Sequence, residues 1–169
     1  MKKLLVISAV ALFAVSSVFA SDSTEVKKKA DSTEVKKAKE EKAPEFITTE
    51  KGLKYHDSVI GKGPVAEKGD FVDVHYTGWL FVDGKKKGKP FDSSIKRGVP
   101  YNVHLGAGGV IKGWDQGLVG VAEGGKRTLI IPPSLAYGKG GFGGGIIPPN
   151  ATLIFDCELV KVTKKADKK

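Results

Sequence analysis

The chain has 169 residues, a formal charge of +9, 22 glycines, three histidines and one cysteine. One thiol closes no intrachain bridge, so a disulfide scaffold is excluded, and so is a Cys-rich zinc fold. Hydrophobic residues make up 40%, enough for a core, and the charge splits as +2 in residues 1–21, 0 in 22–45, +4 in 46–163 and +3 in 164–169. A domain only mildly basic, with no stacking aromatics among its lysines, argues against a nucleic-acid partner.

Lys2 and Lys3 precede an apolar run from Leu4 to Val15, and Val18 and Ala20 stand three and one residues before a cut ahead of Ser21. This is the order of a secretory signal peptide, assigned to residues 1–20. The apolar run falls short of the ~20 residues that span a bilayer, so no stable membrane anchor is expected after cleavage. The location implied is outside the cytoplasm, the periplasm in a cell with two membranes. Residues 21–45 carry Asp22-Ser-Thr-Glu-Val-Lys-Lys28 again as Asp31-Ser-Thr-Glu-Val-Lys-Lys37. With almost no large apolar side chain they read as a charged, disordered linker, the alternative being a partner-binding helix.

Residues 46–163 form the domain, followed by a solvated basic tail, 164–169. Leu53–Val59 predicts a strand, and Gly61–Pro64 and Glu67–Asp70 predict turns. Phe71–Leu80 is a half-buried strand by its loose alternation of Val, Tyr, Thr and Trp. Asp83-Gly84 turns the chain, and Lys85–Lys89 reads as an exposed loop or bulge. Phe91–Ser94 leads to a turn at Arg97-Gly98, after which Tyr101, Val103 and Leu105 alternate with polar residues as a strand. Only Val110–Val121 looks helical, with Trp114, Leu118 and Val121 on one stripe, although Gly117 and Gly120 weaken it. Lys126–Ile131 and Thr152–Val162 are strands. This order predicts an α+β fold, a curled antiparallel sheet packed on one short helix.

Familiar catalytic motifs are absent. His56, His75 and His104 have no metal-ligand spacing, and Cys157 alternates with Leu153, Phe155 and Leu159 as a core thiol. Gly120–Lys126 imitates a phosphate loop, but Arg127 stands where Ser or Thr is required and the segment follows a helix instead of a strand. No metal and no cofactor is expected. Aromatic residues do gather at the ends of elements, and Tyr137–Pro149 is a glycine-rich loop carrying Phe142. Such a pattern fits a ligand cavity and an ordinary aromatic core equally well.

Five motifs occur in register: Val74-His-Tyr-Thr-Gly78, Phe91-Asp-Ser-Ser94, Val110-Ile-Lys-Gly-Trp114-Asp, Ala136-Tyr-Gly138 and Ile146-Ile-Pro-Pro149 running on to Phe155. Together they resemble the FKBP-type peptidyl-prolyl cis-trans isomerases from Gly52 to Val162. The resemblance implies a sheet of five or six antiparallel strands wrapped on the helix, with an apolar site between them. Its catalytic residues would be Asp92, Tyr137 and Ile111. Tyr76, Phe91, Tyr101, Val110, Trp114, Phe142, Ile147 and Phe155 would bind substrate, with Trp114 as the floor. Tyr101 stands where the family often has Phe, and the Trp79–Pro90 and glycine-rich segments are longer than in short members. The function implied is acceleration of Xaa-Pro rotation in folding exported proteins, with macrolide inhibitors as further ligands. The alternative is a non-catalytic proline-peptide binder or chaperone.

Overall fold

The computed structural model describes residues 44–166. The proposed signal peptide, nearly all of the linker and the last three residues lie outside the described residues. Seven strands form one antiparallel sheet: β1 (Ile47–Thr48), β2 (Lys54–Val59), β3 (Phe71–Val82), β4 (Lys85–Ser93), β5 (Tyr101–His104), β6 (Lys126–Ile131) and β7 (Leu153–Thr163). Their order is β1-β2-β6-β7-β3-β4, with β5 also paired to β3. The curled, antiparallel α+β architecture agrees with the sequence. Two strands go beyond those read along the chain, β4 and the two-residue β1, the latter too short for any periodicity to reveal.

Alternation along β3 sorts its side chains. Val72, Val74 and Tyr76 are buried on the inner face, while Asp73, His75 and Thr77 are half-buried on the outer one. Opposite the inner face lies α2 (Lys112–Gly117). Trp114, Leu118 and Val121 are all buried, as their shared stripe predicts. The helix itself is shorter than Val110–Val121. Ile111 is extended at φ −59° and ψ 144°, and the chain beyond Leu118 turns away to exchange bonds with Ala66, Gly120 N–H to its carbonyl and Val121 carbonyl from its N–H, both 2.8 Å.

Glycine weakens α2 as an isolated helix but lets it approach the sheet. A Cβ at Gly113 would meet Ile131 Cγ2 at 2.4 Å, and one at Gly117 would meet Leu129 Cδ2 at 2.7 Å. Core burial at this contact, with Leu129 and Ile131 wholly covered, provides the stability the helix lacks alone.

Two further segments differ from expectation. Lys85–Lys87 are not a loop but the start of β4, paired with Val82, Phe81 and Leu80; the register shifts only between there and Asp92 opposite Gly78. An edge strand facing water needs no apolar alternation, which hides it from a periodicity reading. The turn after Ser94 is a single helical turn, α1 (Ser94–Arg97), whose Lys96 N–H is capped by the Ser93 hydroxyl and which Gly98 closes at φ +74°. The basic tail is exposed but begins attached. Lys165 N–H and Lys164 Nζ reach Asp70 at 2.9 and 3.1 Å, because the buried Asp70 carboxylate needs donors.

Candidate functional site

The inner face of β3 continues past the core into a cavity of about 730 Å³ between sheet and α2. Trp114, at the first turn of α2, forms its floor and is 4% exposed. Rings from the sheet pack edge-on against it, Tyr76 at 4.8 Å, Phe155 at 5.4 Å and Tyr101 at 6.4 Å between centroids. Phe91 meets Phe155 edge-on at 5.6 Å to extend the wall. Such T-shaped packing sets the positive edge of one ring on the negative face of the next and stabilises the pairs beyond the area they bury.

One wall is polar. The carboxylate of Asp92 accepts hydrogen bonds from the Tyr76 hydroxyl, from Arg97 Nη1 and from the Ser93 N–H, the last at 2.7 Å. Arg97 Nη2 also donates to the Tyr76 oxygen at 2.9 Å, closing a triangle of three side chains. Desolvation opposes ionisation of Asp92, but the Tyr76 and Arg97 bonds prevail and hold its pKa below the ordinary value. Burial and the bond to Asp92 push the Tyr76 phenol up to about 12. Asp92 is thus a fixed anion and Tyr76 a fixed neutral donor.

Two other donors are uncommitted. Among the described residues the Tyr137 hydroxyl and the Ile111 N–H have no hydrogen-bond partner. Ile111 is extended just before α2, so its amide stands outside the helical ladder. Tyr137 is half-buried, its phenol raised first by desolvation and then by the Asp92 charge. Phe142 stacks on it at 4.6 Å and 21°. A short antiparallel bridge to Ile147, 2.9 and 3.0 Å, holds Phe142 in place. Gly141 permits that bridge: at φ +64°, a Cβ would sit 2.4 Å from the Ile147 carbonyl.

The cavity therefore gathers Asp92, Tyr137 and Ile111 with Tyr76, Phe91, Tyr101, Val110, Trp114, Phe142 and Phe155. Ile147 does not line it. It is 3% exposed and belongs to the buried core shared with Tyr76, Trp114 and Phe155, and its backbone bridges to Phe142. The sequence reading missed Arg97 and Gly109, which also line the cavity. Arg97 stood five residues after Asp92 in an apparent surface turn; the signal was that one helical turn brings it back to the carboxylate.

A family model described as FKBP-type peptidyl-prolyl cis-trans isomerase matches residues 63–160. An FK506-binding protein of Neisseria meningitidis serogroup B is 52% identical over 111 residues, 66% of this chain and 96% of that protein. An FK506-binding protein of Streptomyces anulatus is 55% identical over 110 residues, 65% of this chain and 86% of that one. The crystal structure of FkpA from Escherichia coli superposes with a TM-score of 0.62 at 46% identity, over 70% of this chain and 51% of that chain.

Proposed function

Since the chain belongs to the FKBP-type peptidyl-prolyl cis-trans isomerases, we propose that the cavity on Trp114 is where it rotates Xaa-Pro bonds, and that its side chains divide the work as follows. The barrier to rotation is ~18–20 kcal/mol and arises from amide resonance, which the twisted transition state loses along with much of its N-to-O charge separation. No covalent bond breaks, so neither nucleophile nor acid–base pair is required. A dry aromatic enclosure disfavours the polar planar amide relative to the twisted one.

Proline packs on the Trp114 face between Tyr76 and Phe155. The Ile111 N–H and the Tyr137 hydroxyl bind peptide carbonyls, fixing the chain on both sides of the rotating bond. Asp92, held ionised by Arg97, orients Tyr76 and places a negative charge beside the twisting amide. It takes no proton. The observation that carries this assignment is the convergence of two uncommitted donors and one buried indole in a single apolar cavity.

Isomerisation of a short Xaa-Pro peptide tests it. Tyr137→Phe removes one neutral hydrogen bond, for an expected loss of roughly 3–10-fold in kcat/KM; Asp92→Val removes a charge and its partners, for roughly 10–100-fold. Full activity in both variants overturns the residue assignment. Binding without any acceleration by the wild type supports the non-catalytic alternative.

We further propose that the clients are proline-containing segments of exported proteins during folding. The basic-apolar-small pattern of residues 1–20 supports this reading. Amino-terminal sequencing of the cell-derived protein is expected to begin at Ser21. FK506-type macrolides, after which the relatives are named, suit the same apolar cavity.

A further inference from the structure

β4 serves the cavity with only its second half. Phe91 and Asp92 line the cavity, whereas residues 85–89 of the same strand are exposed and carry four lysines. The register settles where those cations lie. Lys85 stands opposite Val82 and Lys87 opposite Leu80, and residues opposite one another in an antiparallel pair share a face. Val72, Val74 and Tyr76 are the buried set of β3, so Leu80 and Val82 continue that inner face by the period of two. Lys85 and Lys87 therefore lie on the cavity's side of the sheet.

Lys86 lies on the other side. It sits 4.3 Å over the Trp79 ring and pairs with Asp156. Lys85, Lys87 and Lys89 have no carboxylate within ion-pair distance among the described residues. Lysine on an edge strand discourages strand pairing, but that role is served equally on either face. It does not account for neutralising the outer lysine while leaving three lysines unpaired, two of them, Lys85 and Lys87, on the cavity's side of the sheet.

We propose that Lys85, Lys87 and Lys89 form a cationic ribbon that recruits acidic polypeptide, so that the enzyme favours Xaa-Pro bonds with Asp or Glu nearby in the same chain. The proposal rests on the isomerase reading of the cavity. Lys87 stands opposite Leu80 and Asp92 opposite Gly78, with the residues between them bulged, so Lys87 and Lys85 lie two and four positions of β3 beyond the Asp92 register, about 7 and 13 Å at ~3.3 Å per residue. An extended client has the same rise, which places the favoured acidic residues about two to four positions from its proline. Engagement of the proline makes the second contact intramolecular, so weak exposed charge pairs add usefully to capture. A polypeptide fits better than nucleic acid, because Lys85–Lys89 offers no aromatic ring on which bases could stack.

The test compares kcat/KM of the full chain for three peptides with one Xaa-Pro core: three Glu residues before it, three Glu residues after it, and three Gln residues. At low salt one Glu peptide is expected to exceed the Gln peptide by roughly fivefold, through KM, with the advantage fading at ~0.5 M salt. The triple variant Lys85→Gln, Lys87→Gln, Lys89→Gln should abolish the advantage while turning over the Gln peptide at the wild-type rate, which also shows that it is folded. Lys86→Gln should retain the advantage. Equal turnover of Glu and Gln peptides by the wild type, or an advantage that survives in the triple variant, overturns the ribbon alone. Ribbon-dependent binding of anionic lipid vesicles or oligonucleotide without any Glu advantage overturns it too. Failure to turn over even the Gln peptide would instead sink the isomerase reading on which it stands.

Discussion

Arg127 and Asp57 stand opposite one another on β6 and β2 and form a two-pronged pair, Nε to Oδ1 at 2.6 Å and Nη2 to Oδ2 at 2.7 Å. The remaining nitrogen, Nη1, donates to the carbonyls of Gly117 and Val119 at 2.8 and 3.2 Å. One guanidinium thus belongs to the sheet and also closes the C-terminal end of α2. It fixes the height of the helix over the sheet, and with it the floor of the cavity.

Asp57→Ala is expected to destabilise the domain by about 3 kcal/mol, because it leaves the guanidinium of Arg127 buried with its charge unpaired. Urea denaturation checks this. A loss well below 1 kcal/mol would mean that the two helix carbonyls alone satisfy the arginine.

Asp70 is 3% exposed and accepts from the N–H groups of Glu67 and Lys165, each at 2.9 Å, as well as from Lys164. Asp70→Ala is expected to cost about 2–3 kcal/mol, since the part-buried amides of Glu67 and Lys165 lose a charged acceptor. Lys164→Ala should cost far less, because that ammonium is exposed and screened by water. Paired denaturation curves of the two variants decide.

The same carboxylate sets an acid limit. The bonds from Lys165, Glu67 and Lys164 outweigh desolvation and lower the pKa of Asp70 below 3.8 in the folded state. Asp92 is lowered likewise. Each group therefore contributes stability that is complete above the unfolded pKa and disappears as pH falls through the lower folded value. Thermal melts are expected to be level near neutrality and to drop below about pH 4. In Asp70→Ala the drop should be shallower.

Activity should be indifferent to pH over a wide middle range. Asp92 is ionised above the carboxylate range, Tyr76 is neutral up to about 12 and Tyr137 is raised as well. Expected is a kcat/KM flat from about pH 5 to 9. A bell centred near neutrality would reveal a proton-transfer step and contradict the mechanism.

Gly78 tests the aromatic wall without touching a polar group. A Cβ there would come within 2.7 Å of Phe155 Cε1 and 2.8 Å of Phe91 Cζ, so both rings must shift. Gly78→Ala is expected to lower kcat/KM by roughly tenfold through misplaced walls, with a stability loss of about 1–3 kcal/mol. Unchanged activity would show that the T-shaped geometry of these rings is not needed.

Much of this was readable from residues, for different reasons at different places. Trp114, Leu118 and Val121 announced one buried stripe because burial depends on spacing, which is local. Helix length did not follow, because α2 ends where Ala66, about fifty residues earlier, takes over the hydrogen bonds. Phe91 and Asp92 were legible as a motif, but Arg97 was not, since its value lies in reaching a carboxylate across a one-turn helix. Ile147 carried the pattern of a wall residue, yet the bridge to Phe142 turns it inward. Lys85–Lys87 looked like loop because an exposed edge strand leaves no apolar trace.

The place of β7 has a consequence for how the domain comes into being. Leu153–Thr163 is the last strand among the described residues and an interior strand of the sheet, bonded to β6 on one side and along Phe71–Leu80 of β3 on the other. Until those residues have left the ribosome, β3 and β6 each face water with an unpaired edge, and the cavity lacks Phe155. Assembly must then join segments some ninety residues apart in sequence, Phe71 meeting Thr163, and such distant pairings close slowly. A domain whose interior strand arrives last cannot lock its sheet or complete its cavity until that strand has been made.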